Sequence, residues 1–123
     1  MKKTEKWTVE FCRFVNANSV VEELLEIRRR NLQLATEIVQ DLKDLEEFGL
    51  ALPEKRLHKV FGTPLWELRS MWQHSIARTL LFEERGRLLV VTHIFQKKTG
   101  PVPKTALDRG LKRMESWRKE RGV

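Results

Sequence analysis

His93, Phe95 and Lys97 alternate at the end of an apolar run. An extended chain would therefore turn an imidazole, an aromatic ring and an ammonium to one side. An imidazole titrates near neutrality and can move a proton. An aromatic ring can stack an unpaired base, and an ammonium neutralises phosphate. Together these groups suit the holding and cutting of RNA. Taken singly, Phe95 reads as a core aromatic and His93 as a satisfied strand residue. Lys98 adds a second cation beside Lys97. Upstream, Arg78 shares a strand side with Ile76, Leu80 and Phe82 in a mostly apolar segment. A guanidinium there needs a charge partner or an opening onto a concave site. From the residues alone, a structural ion pair with a glutamate is the stronger reading. Arg69 follows Leu65, Trp66, Glu67 and Leu68, so Trp66 and Leu68 should face the core while Glu67 and Arg69 pair on a solvated face. Lys55, Arg56 and Lys59 complete the basic set of the strand region, and Lys104 opens the last helix.

Much other chemistry is excluded. The chain has no Gly-rich phosphate loop, no paired Cys/His ligand set and no Ser nucleophile motif. His58, His74 and His93 lie far apart without metal-ligand spacing, so no metal and no cofactor are expected. The single cysteine, Cys12, allows no internal disulfide and suits a reducing compartment. The N-terminus is charged and lacks the apolar core of a secretory signal. The longest aliphatic run, residues 88–91, is too short to span a bilayer. A cytoplasmic protein is expected. The net charge of +7 is concentrated: eleven Lys/Arg stand against three Asp/Glu from Arg85 onward, and thirteen against fourteen before it. Such a field attracts polyanions, although a solvated basic helix would account for it equally well.

The elements that must position these residues follow from periodicity. Residues 8–15 alternate with apolar groups on both sides, predicting a strand near the sheet centre. Ser19 and Glu22 have capping-box spacing. Apolar residues then recur every three or four positions from Val21 to Phe48, with a lapse over residues 28–31. That lapse predicts a helix pair rather than one long helix. Gly49 should cap the second helix, and Pro53 prevents its continuation. Residues 57–61, 65–71, 76–83 and 87–95 predict strands, the last two joined by a hairpin loop at residues 84–86. A final helix starts near Lys104, with Leu107, Leu111, Met114 and Trp117 in one stripe. The expected fold class is α+β, a single domain over residues 1–123. It comprises an N-terminal strand and helix pair, a mostly antiparallel sheet of four or five strands, and a C-terminal helix, with the helices on one face of the sheet.

Residues 65–69 (Leu-Trp-Glu-Leu-Arg), 77–82 (Ala-Arg-Thr-Leu-Leu-Phe), 93–99 (His-Ile-Phe-Gln-Lys-Lys-Thr) and the closing helix together resemble the phage-derived branch of the RelE/HigB toxins of type II toxin–antitoxin systems. The resemblance spans roughly residues 8–118 and is strongest from Leu65 onward. It implies a RelE-like fold and a metal-independent endoribonuclease that cuts mRNA, often on the ribosome, by attack of the RNA's own 2′-hydroxyl. Carried over, Arg69 and Arg78 would clamp phosphate, and Lys97 and Lys98 would bind phosphate or assist proton transfer. His93 would be an alternative acid or base, and Phe95 the stacking platform. Lys55, Arg56, Lys59 and Lys104 would hold flanking RNA. Several members of the wider superfamily place a tyrosine in the active site, and this chain has none, which leaves proton transfer to His93 or a lysine. The implied partners are mRNA, the ribosome and a helix-turn-helix antitoxin, with DNA bound only through that antitoxin and no membrane. The alternative is a degenerate, non-catalytic protein that binds nucleic acid or docks to its antitoxin.

Overall fold

A computed structural model describes residues 6–13 and 19–122. Helix α1 (Val20–Arg30) starts where the Ser19 hydroxyl accepts the Glu22 N–H. Glu22 and Glu23 lie in its first turn and Arg28, Arg29 and Arg30 in its last, each favourable to the helix dipole. Asn31 is the lapse in the pattern. Its N–H reaches Ile27 O, ending α1, and its Oδ1 accepts the Leu34 N–H at 3.0 Å, starting α2 (Leu32–Phe48). The helix pair predicted from that lapse is what the chain forms. Helix α2 ends at Gly49, with φ +56°, followed by a 3-10 turn over Gly49–Ala51. A Cβ at Gly49 would also collide with the Trp7 indole, so glycine is required there twice over.

Strand β1 (Thr8–Phe11) precedes the helices, and β2 (Leu57–Lys59), β3 (Trp66–Trp72), β4 (Ser75–Glu84) and β5 (Leu88–Gln96) follow them. Helix α3 (Lys104–Arg121) closes the chain. The sheet order is β1-β5-β4-β3-β2, with β1 parallel to β5 and every other neighbour antiparallel. The expected α+β class is the observed one, and of the four or five strands expected in a mostly antiparallel sheet the chain forms five. Strand β2 stops earlier than expected because the Val60 N–H turns to Leu65 O, closing the loop into β3.

Three expectations are corrected. Strand β1 lies at the sheet edge, and residues 14 and 15 of its expected span lie outside the described residues. Its two-sided apolar pattern reflects cover from both layers. Val9 and Phe11 share a hollow with Leu42 of α2, while Glu10 accepts from the Trp117 indole N–H of α3 at 3.1 Å. The helices also cover both faces of the sheet, not one. Leu80 and Phe82 of β4 meet Gly110 and Trp117 of α3, while Ala77, Thr79 and Leu81, of opposite parity, are equally buried on the side of α2. Finally, Glu67 is not solvated: it is 1 % exposed.

Among the described residues, the outer edge of β5 beyond Val91 has no strand partner, since β1 pairs with Leu88 to Val91. Glu23 of α1 serves instead. Its carboxylate accepts the Ile94 N–H at 3.0 Å and Arg113 Nη1 of α3 at 3.0 Å, and lies 2.9 Å from His93 Nδ1. Burial pushes the Glu23 carboxyl up. The hydrogen bond and charge of His93, the Ile94 N–H and Arg113 outweigh that and hold it below its ordinary value. Cys12 is fully buried, which drives its thiol up to about 12, so it is an inert core residue.

Two outcomes follow. A Cβ at Gly110 would sit 3.1 Å from both Leu65 Cδ1 and Leu80 Cδ1 and 3.2 Å from Thr92 Oγ1, all three fully buried residues. Gly110→Ala gains helix propensity of about 1 kcal/mol but overpacks this layer by more, so thermal denaturation should show a net loss of about 1 kcal/mol. Because the folded-state pKa of Glu23 is depressed, its contribution is present above the ordinary value of about 4.3 and is lost as pH falls through the lowered one. Glu23→Gln should cost about 2 kcal/mol at neutral pH. Its Tm should then decline less than that of the wild type on acidification from about pH 5 to about pH 3.

Candidate functional site

The strand register builds the site in two cross-strand rows. His58 of β2 faces Glu67 of β3, which faces Leu80 of β4, which faces His93 of β5. One step along, Arg69, Arg78 and Phe95 stand opposite one another. Both rows lie on the sheet face that α3 covers, because Leu80 belongs to the first and packs against Gly110.

Arg78, only 1 % exposed, is the centre of the second row. Its Nη1 lies 3.1 Å from Glu67 Oε2 and donates to Gly100 O at 2.7 Å, and its Nε donates to Lys97 O at 3.2 Å. The contact with Glu67 Oε2 is ionic rather than an aligned hydrogen bond. An isolated buried charge would cost several kcal/mol, and here the opposite charge and two carbonyls offset that cost. The glutamate is shared. Its Oε1 lies 2.7 Å from His58 Nε2 and 4.0 Å from Arg69 Nε. Arg78 thus ties the segment 97–100 down over β4, and Glu67 links that arginine to the histidine of β2.

On either side of this covered centre the face opens. Toward β5 and α1 an open cleft of about 760 Å³ is lined by Phe95, His93, Arg109, Arg30 and Glu26, among others. The Phe95 ring stacks on His93 at 4.9 Å between centroids and 24° between planes. His93 itself is 6 % exposed and held by Glu23. Toward β2 and β3 a smaller hollow of about 380 Å³ is lined by His58, Lys59, Phe61, Arg69 and Val102, with Glu67 at its base.

The structure brings Arg69, Arg78, His93, Phe95 and the start of the Lys97, Lys98 segment onto one sheet face. Lys97 and Lys98 are exposed at the end of β5, and Lys104 is exposed at the first residue of α3. Lys59 is exposed with its ammonium 5.4 Å from the Trp66 ring centre, and Lys55 is exposed in the turn before β2. Arg56 stands apart. Its Nη2 binds Asp41 at 2.8 Å and Asp44 at 2.7 Å, both on α2, so it ties β2 to the helix pair. Alternation alone places Glu67 on a solvated face, and the spacing of the histidines speaks only against His58 as a metal ligand, so neither is expected at the site. Nor are Glu23, Arg109 and Arg113 expected there. The available signal was the two-residue link Gln73-His74 between β3 and β4, with Gln73 at φ +52°. Counting outward from it pairs Arg69 with Arg78 and sets Glu67 diagonally beside the arginine.

Among curated proteins, none matches the chain. The family described as phage-derived protein Gp49-like (DUF891) matches residues 25–115 of the 123. The matched stretch holds the second half of α1, all of α2, strands β2 to β5 and most of α3, and therefore both cross-strand rows. The chain belongs to the Gp49-like family of phage-derived proteins, a RelE-like toxin family of toxin–antitoxin systems.

Proposed function

We propose that this protein is a metal-independent endoribonuclease that cuts mRNA on the ribosome, and that a helix-turn-helix antitoxin restrains it. The observation that supports this reading best is the row Arg69, Arg78, Phe95, with Lys97 and Lys98 leading directly off its β5 end. Cations and a stacking ring on one sheet face suit a short stretch of unpaired RNA.

The roles divide by exposure. Arg69, with its side chain 39 % exposed, and the exposed Lys97 and Lys98 are the phosphate-binding groups. Their positive charge would stabilise the pentacovalent phosphate formed when the 2′-hydroxyl attacks. Arg78 is a positioning residue, because its donors hold Lys97 O and Gly100 O. Phe95 is the stacking platform, and His93, clamped by Glu23, sets its ring. Lys55, Lys59 and Lys104 bind flanking phosphates, while Arg56 is occupied by α2. The basic final third offers a target to an acidic antitoxin segment or to ribosomal RNA. DNA would be reached only through the antitoxin.

The test is induced expression with growth curves and primer-extension mapping of cellular mRNA. Wild-type protein should arrest growth and leave discrete cuts within translated codons. Arg69→Ala and Lys97→Ala should each lower cleavage about 100-fold or more, as the loss of one charge-stabilising group does, while Tm changes by only a few degrees. Well-folded wild-type protein that binds RNA in a salt-sensitive manner and yields no product would favour the binding module instead.

A further inference from the structure

Resting on the ribonuclease reading above, we infer that His58, aimed by Glu67, is the general base that removes the 2′-hydroxyl proton. The imidazole sits in β2 directly across from Glu67, with Nε2 2.7 Å from Oε1. That carboxylate is 2 % exposed in its side chain and is itself held by Arg78, so it fixes the ring as the partner of a catalytic histidine does. With Nε2–H donating to Glu67, the free nitrogen is Nδ1, which takes no protein partner among the described residues. The side chain is 31 % exposed and lines the hollow of about 380 Å³ together with Arg69, Lys59 and the fully exposed Phe61 ring. A base, the Arg69 cation and a stacking surface thus meet around one opening. His93 is also held by a carboxylate, Glu23 at Nδ1, but its ring is stacked against Phe95 and it is only 6 % exposed, so it offers RNA less of its ring than His58 does.

The step balances without an outside reagent. Nδ1 of His58 takes the proton of the 2′-hydroxyl, and the 2′-oxygen forms a bond to phosphorus. The bond from phosphorus to the 5′-oxygen breaks, and that oxygen takes a proton from the Lys97 ammonium. The products are a 2′,3′-cyclic phosphate and a 5′-hydroxyl, and solvent returns the proton from His58 to Lys97.

The experiment is single-turnover cleavage of mRNA on programmed ribosomes by the full chain, comparing wild type with His58→Gln and His58→Ala. Glutamine keeps an N–H for Glu67 but cannot take up a proton. Cleavage should fall about 100-fold or more in both variants, within the range a positioned base contributes. The Tm of His58→Gln should stay within a few degrees of wild type, and added imidazole should restore cleavage to His58→Ala about tenfold. Glutamine at wild-type rate would overturn the assignment, because a merely structural histidine is replaced by that donor. Loss in His58→Ala without imidazole rescue would overturn it as well. Absence of cleavage by the wild type on the same ribosomes would instead remove the ribonuclease reading and this assignment with it.

Discussion

The Glu67–Arg78 ion pair is the contact on which the functional face depends. Two opposite charges, each about 1 % exposed, meet at 3.1 Å on the sheet face that α3 covers. Such a pair adds little net stability against an apolar substitute, yet removing one member leaves a costly uncompensated charge. Its value is therefore geometric. Arg78 holds Lys97 O and Gly100 O, which fixes where β5 hands over to the turn before α3. Glu67 reaches the other way to His58. One buried pair thus sets both walls of the open hollow beside it.

The edges of the sheet are managed by the same logic. Among the described residues β5 runs longer than its partner β1, and Glu23 accepts the Ile94 N–H while binding Arg113 and His93. A bulge places Thr92 as an extra residue between Val91 and His93, and Thr92 lies against Gly110 of α3. Helix α3 can approach so closely because Gly110 carries no side chain. The outcome is a hydrogen-bonded frame of β3, β4 and β5 with the exposed Lys97 and Lys98 at its rim. Preorganisation of that kind is what charge stabilisation in a reaction requires.

Much of the fold was legible in local spacing. Ser19 with Glu22, the lapse at Asn31, the Gly49 cap, the boundaries of β3, β4 and β5 to within a residue, and the Lys104 start all depend on residues near in sequence. What was not legible depends on partners far apart. Strand β1 looks central because two helical layers cover it, and alternation cannot distinguish that from flanking strands. Glu67 alternates with Trp66 and Leu68, which gives its side of the strand but not its burial. Burial comes from β2 and from the segment 97–102, which arrive from elsewhere in the chain. Arg78 is the instructive middle case. Its apolar neighbours already demanded a carboxylate partner, and only the β3–β4 register says which one.

The most direct measurement is a double-mutant cycle between Glu67→Gln and Arg78→Gln, read by chemical denaturation of the purified chain. If the buried pair organises the face, each single substitution should cost about 3 kcal/mol, and the double should cost far less than their sum. The coupling should be about 2 kcal/mol or more. Additive losses, with coupling near zero, would show that the two charges do not depend on each other and would contradict the account.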